Sequence, residues 1–311
     1  MNREIKVNPL IIFYNRLKAF NPFNNTIPVI TKYNNYKPFL IIGSGRSGTT
    51  LLRSMLNQSS SVEIPPESFV LPLLVKRHTV WKNLDWKDYI KLIIGEFHCH
   101  PQFKYWNFNT THAFEELMTL PPKERSLFKV IDVLYTQYAK THGKPTALWG
   151  DKTPLNTYHL PQLDSILNEP RYINMIRDGR DVVASYRKAK LSESIEDACT
   201  RWKDAVLCAS VFEEKNEQSV LNVRYESLVR DPKAELLKVC DFLHINFDEC
   251  MLQNNRNTEN LGDSVYAHHE KLKKPIDQSS IGNWEKQLSI DEQQLVNKLI
   301  GAELKQLGYL K

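Results

Sequence analysis

The sequence predicts an α/β fold, a parallel β-sheet flanked by helices. Three apolar runs carry the prediction. Phe39 to Ile42 is a short strand pattern ended by glycines, leading into a helical stretch from Thr49 to Asn57. Arg171 to Ile176 is a second such strand, feeding a helix that starts near Gly179. Ser219 to Val223 is a third, followed by a helix with Asp231 as N-cap and Pro232 in its first turn. Strands alternating with helices build parallel sheets, whose ligands sit at the carboxyl ends of the strands.

The elements follow in order. Residues 1–36 are rich in Asn and carry Pro9, Pro22 and Pro28 around one apolar cluster, Leu10 to Phe20. This reads as an arm that packs on the body, with a membrane-surface helix as the other use. Its most apolar piece, Leu10 to Tyr14, is too short to span a bilayer, and no cleavage site follows, so neither signal peptide nor transmembrane anchor is expected. Residues 37–311 form the second unit. After the Thr49 helix, Gln58 to Ser61 is a polar stop, and "VEIPPESF" holds a short second strand. From about 71 to 144 the pattern turns helical, with segments at Trp86 to Phe97, Phe114 to Met118 and Glu124 to Thr141, which reads as an insertion after the second strand. "KPTALWGDKTP" contributes another short strand. In the Pro232 helix, Leu236, Leu237, Val239, Cys240 and Leu243 mark the packed face, and Ser289 to Leu307 closes the chain.

Composition narrows the function classes. With 311 residues and 41% hydrophobic content the chain can bury a sizeable core. The net charge of +5 is spread along the chain; it suits an anionic ligand, while nucleic acid would call for a denser basic patch. Five cysteines without a CxxC pair fit a reducing, cytoplasmic setting. The sequons at Asn24, Asn57 and Asn109 read as chance, since Asn57 lies on the helix leaving the glycine loop. Nothing indicates the oligomeric state.

"IIGSGRSGTTLLRSML" carries the first chemical signal. Gly43 and Gly48 have G-x-x-x-x-G spacing between a strand and a helix, so backbone N–H groups and the helix N-terminus can face an anion. Ser47, Thr49 and Thr50 add hydroxyls. A nucleotide triphosphatase needs a lysine after the second glycine, and Thr49 stands there; a cation appears earlier, at Arg46. A second anion signal is "INMIRDGRDVVASYRK": Arg177 ends a strand, with a planar donor fork for phosphate, and Ser185 follows in the next helix. The bland alternatives are a simple glycine turn and a set of surface ion pairs among Arg177, Asp178, Arg180 and Asp181.

Together these stretches resemble the sulfotransferases that use 3′-phosphoadenosine 5′-phosphosulfate (PAPS), above all the tyrosylprotein and carbohydrate branches, whose loops carry Arg-Ser-Gly-Thr-Thr. The resemblance runs from about Pro38 to Gly308. It implies a P-loop-like sheet, PAPS as donor, adenosine 3′,5′-bisphosphate (PAP) as product, and no metal. It assigns the residue 46–50 loop to the 5′-phosphosulfate, and Arg177 and Ser185 to the 3′-phosphate. Tyr225 matches a tyrosine near the nucleotide, or else is a packing residue. "HHEKLKKPIDQSSIGNW" resembles the last cofactor loop, with His269, Lys273 and Lys274 as contacts and His268 competing with His269. Glu67 occupies the place of the catalytic base, with Glu63 as competitor; either burial under the insertion raises its pKa or the proton moves late in the reaction. Arg46 and Lys152 correspond to the catalytic cations, unless Asp151 makes Lys152 a surface pair.

Two further features are set aside. "HCH" at 98–100 offers metal-ligand atoms without a completing set. Trp81, Trp86, Tyr105 and Trp106 are core residues or an acceptor platform. The acceptor is a hydroxyl or amine of a metabolite, lipid, glycan or tyrosine-containing peptide. A kinase-like phosphoryl transferase and a silent anion-binding protein on the same fold are the alternatives.

Overall fold

The computed structural model describes residues 26–253 and 277–311. Its centre is a five-stranded parallel sheet of β1 (Phe39–Ile42), β2 (Val62–Glu63), β3 (Leu148–Lys152), β4 (Arg171–Ile176) and β5 (Val220–Arg224), in the order β2-β3-β1-β4-β5. All the strand carboxyl ends therefore lie along one edge. The register sets Ile41 beside Lys152 on one flank of β1, and Ile42 beside Asn174 on the other.

Helix α1 (Thr49–Leu56) leaves the glycine loop. Between β2 and β3 come α2 (Leu71–Trp81), α3 (Trp86–Cys99), α4 (Thr111–Thr119) and α5 (Leu127–Thr141), the expected helical insertion. The last begins later than expected because Ser126 caps it, accepting from Lys129 N at 3.0 Å, after a 3-10 turn at Pro122–Glu124. Then follow α6 (Leu160–Asp164), α7 (Gly179–Lys188), α8 (Ile195–Glu213), α9 (Tyr225–Arg230), α10 (Pro232–Leu243), α11 (Trp284–Gln287) and α12 (Ile290–Gln306).

Strand alternation splits the core into two layers. Leu40, Ile42 and Tyr172 face the insertion, where Ile90, Ile93, Phe97, Trp106, Phe128 and Tyr135 pack against them. Phe39, Ile41, Ile173 and Met175 face α1 and α10. Trp86 and Trp106 are 7% and 1% exposed and belong to this core, whereas Trp81 and Tyr105 are half-buried. On α10 one expectation fails: Leu237 is 46% exposed, because the buried stripe runs through Leu236, Val239, Cys240 and Leu243. The described end of the arm packs on the body. Ile27 is buried, Leu127 N donates to Pro28 O at 3.0 Å, and Tyr36 stacks on Trp149 at 5.9 Å.

Sheet spacing also explains a glycine in β3. A Cβ added at Gly150 would lie 2.5 Å from Phe39 Cζ on the neighbouring strand. Gly150→Ala should overpack this contact by about 1–3 kcal/mol. The melting temperature should fall by several degrees, at roughly 2–4 °C per kcal/mol in a chain of this size class. A melt unchanged by the substitution would contradict the packing of β1 on β3.

Candidate active site at the strand carboxyl ends

The turn from β1 to α1 needs backbone that most residues resist. Gly43 and Gly48 have φ of 122° and 95°. Side-chain atoms would also collide at Gly48, where an added Cβ would sit 2.5 Å from the Tyr225 ring. Arg46 itself is left-handed, φ 68°, at a cost of about 1–2 kcal/mol for a residue with a Cβ. The loop is braced from outside. Thr157 Oγ1 accepts from Gly43 N at 2.8 Å and donates to Gly43 O at 3.1 Å.

The two anion signals converge. Arg46 Nε donates to Ser185 Oγ at 3.1 Å, and Arg177 Nη1 donates to Arg46 O at 2.9 Å. Arg177 Nη2 donates to Ser280 O at 2.8 Å, and its guanidinium lies 4.2 Å from the centre of the Tyr225 ring. Burial, and then the charge of Arg177, push the pKa of Arg46 down. Among the described residues, Ser47 Oγ and Arg177 Nε are buried and have no hydrogen-bond partner. Concentrated positive charge with unused donors fits a bound polyanion, which would relieve both the repulsion and the orphaned donors. Thr49 is buried at the head of α1 and Thr50 is half-buried beside it, both at the helix N-terminus.

The second half of the site is an ion pair. Lys152, 0% exposed at the end of β3, donates to Glu67 Oε1 at 2.5 Å. The Glu67 side chain remains 21% exposed. Glu67 is therefore half-buried, with the Lys152 ammonium against its carboxylate. Glu63, the competing carboxylate, is buried in β2 and paired with Lys144 at 2.9 Å, away from Lys152. Nor does Asp151 make a surface pair with Lys152. It is 1% exposed and accepts from Tyr135 OH at 2.7 Å, Asn156 Nδ2 at 2.8 Å and Ser68 Oγ at 3.0 Å. Burial raises its pKa, while the hydrogen bonds of Tyr135, Thr153 and Ser68 and the charge of Lys152 oppose the shift.

The loop carrying Glu67 is gripped at both ends. Ahead of it, Asn57 pairs with both backbone groups of Ile64 at 2.9 Å, and Arg53 Nε donates to Ile64 O at 3.0 Å. Just after it, Ser68 N donates to Thr153 Oγ1 at 3.1 Å. Helix α1 and strand β3 thus share control of Glu67.

Of the surface ion pairs considered for 177–181, one is present: Arg180 forks onto Asp178 at 2.7 and 3.0 Å. Arg177 takes no part in it. Asp181 has a role that the motif did not reveal, since its carboxylate accepts from Gly282 N at 2.8 Å and Trp284 N at 2.9 Å. That contact pins the Gly-Asn-Trp turn to α7, with Arg180 over the Trp284 ring at 4.2 Å. Thr157, Ser68 and Ser280 were likewise missed, because single hydroxyls and a backbone carbonyl carry no local pattern. Asp181 could have been suspected from its charge inside Arg-Asp-Gly-Arg-Asp. His268, His269, Lys273 and Lys274 lie outside the described residues. The two histidines of "HCH" go to different neighbours: His98 Nε2 bonds Thr110 Oγ1 at 2.9 Å and His100 stacks on Phe69.

Relatives and solved structures bear on this arrangement. A protein-tyrosine sulfotransferase A of Caenorhabditis elegans is 24% identical over 81% of this chain, and a protein-tyrosine sulfotransferase 1 of Danio rerio is 23% identical over 89%. The chain spans 62% and 74% of their respective lengths. The sulfotransferase domain of the olefin synthase of Synechococcus PCC 7002 shares the fold, with a TM-score of 0.58 at 23% identity over 86% of this chain and 97% of that one. The Sulfotransferase family profile matches residues 38–249, a span that includes the glycine loop, Glu67, Lys152, Arg177 and Tyr225, and the chain belongs to that family.

Proposed function

We propose that this chain transfers a sulfuryl group from PAPS to an acceptor hydroxyl, releasing PAP. The observation that carries the reading is the paired guanidinium site, half-buried Arg46 and buried Arg177 around a glycine loop that has Thr49 where a triphosphatase has lysine. The loop N–H groups, Ser47, Thr49 and Thr50 would hold the 5′-phosphosulfate. Arg177, Ser185 and Tyr225 would hold the 3′-phosphate and its nucleoside, with His269, Lys273 and Lys274 as further proposed contacts.

In the transfer, the acceptor oxygen forms a bond to sulfur as the bond from sulfur to the bridging phosphate oxygen breaks. The proton leaves the acceptor for Glu67. The electron pair of the broken bond stays on the phosphate oxygen, whose new charge Lys152 and Arg46 stabilise. Lys152 carries three N–H donors, so it can hold Glu67 in place and still meet the leaving oxygen. All of these steps need positioning and electrostatics only. The acceptor matched to Glu67 is a phenol. A carboxylate with a reference pKa of ~4.3 removes a proton from a group near ~10 far more readily than from an aliphatic alcohol. The names of the protein-tyrosine sulfotransferase relatives favour the same class. We also propose that the enzyme works in the cytoplasm.

Thermal shifts test the donor site. PAP should stabilise the protein, by about 2.7 kcal/mol at ~100 times its dissociation constant, whereas AMP and ATP with magnesium should not. Arg177→Ala should abolish the shift, and stabilisation by ATP with magnesium alone would replace this reading by a phosphoryl-transfer one. Turnover with radiolabelled PAPS tests the catalytic pair. Glu67→Gln should keep the PAP shift and lose at least about a hundredfold in kcat, a typical yield of general-base catalysis. Lys152→Ala should lose about 10²–10³ in kcat, as when one preorganised donor is removed. If Glu67→Gln turned over at the parent rate, Glu67 would have no part in proton transfer.

A further inference from the structure

Phe69 stands two residues beyond the base and its backbone is left-handed, φ 56°. A glycine would adopt that conformation without strain, so the ring is what this position adds. The strain is imposed by both neighbours. Ser68 is tied to Thr153 and Asp151, and Val70, 1% exposed, enters α2. Within residues 62–71, only Glu67 and Phe69 are not buried. The Phe69 ring stacks on His100, with centroids 5.3 Å apart and planes 19° from parallel. His100 lies where α3 ends, and its Nδ1 accepts from Gln102 N at 3.3 Å, which places the ring proton on Nε2. The stack therefore joins the catalytic loop to the helical insertion.

We propose that Phe69 and His100 are specificity-determining residues, a stacked aromatic face that takes the planar ring carrying the acceptor hydroxyl and sets that hydroxyl before Glu67. This rests on the reading of Glu67 and Lys152 as the transfer site. The insertion thereby contributes to acceptor choice through His100, while Trp86 and Trp106, buried in the core, do not. Aromatic rings prefer offset stacking at these separations, so a third ring extends the pair in the same way that Phe69 meets His100.

The probe is 2-naphthol, titrated by its fluorescence against the full chain, with and without saturating PAP. Saturable binding is expected, weakened about tenfold in Phe69→Ala and in His100→Ala, and held within about threefold in Phe69→Tyr. Alanine has the same Cβ and the same strain at this φ, so the first comparison isolates the ring. Melting temperatures and PAP-induced shifts should match the parent in all variants, which a merely structural role for the stack would not allow. With any acceptor that turns over, KM should rise in Phe69→Ala and kcat should hold. Equal affinity of the parent and Phe69→Ala for 2-naphthol, or no saturable binding by the parent, overturns the proposal. Failure of PAP to stabilise any of the proteins would instead overturn the donor reading, and the titration without PAP keeps the two failures apart.

Discussion

The parallel pairing of β1 with β3 on one side and β4 on the other is the constraint on which the site depends. Because all three strands run the same way, their carboxyl ends open at one edge, and the residues that follow them become neighbours without any contact in sequence. The glycine loop leaves β1, Lys152 ends β3 beside Ile41, and Arg177 follows β4. A one-residue slip in either ladder would turn Lys152 or Asn174 to the opposite face of the sheet. Phe39 against Gly150 guards one of these registers by leaving no room for a side chain.

Upon that frame the structure concentrates positive charge where burial makes it costly. Arg177 is buried and Arg46 half-buried, and burial, then the charge of Arg177, push the pKa of Arg46 down. Among the described contacts of these two arginines are the Ser185 hydroxyl, the carbonyls of Arg46 and Ser280 and the Tyr225 ring, which orient the guanidinium groups. Such a site is strained toward anions. The contrast with Arg180, neutralised by its fork onto Asp178, shows that nearby arginines of one motif serve different ends.

The Glu67 side of the site follows another logic, that of anchoring. Glu67 lies in a short loop whose flanking residues are tied to α1 through Asn57 and Arg53, and to β3 through Ser68. The buried Asp151 collects donors from three different elements and so fixes the exit of β3 just beside Lys152. A buried carboxylate held by three donors fixes geometry tightly, since each missing partner would leave a desolvated polar group. The insertion enters the network through Tyr135, and reaches the loop again through His100 on Phe69.

Much of this was legible in the chain itself. Apolar runs bounded by glycines located β1 and β4, and the loop and arginine motifs singled out Arg46 and Arg177, because strand patterns and phosphate-loop turns are local properties of backbone and side-chain type. Other features were not legible. That Glu67 and not Glu63 meets Lys152, that Asp151 is a buried anchor, that Arg46 reaches Ser185, and that Thr157 braces the loop all depend on residues far apart in sequence. Leu237 was misplaced for the same reason, since what a helix face packs against is set by its neighbours. The sequence by itself determined the strands, the anion-binding loop and the family likeness, all written in short contiguous stretches. Only the tertiary structure decided which carboxylate, cation and hydroxyl share a site, because sheet order and burial arise from contacts that no local pattern encodes.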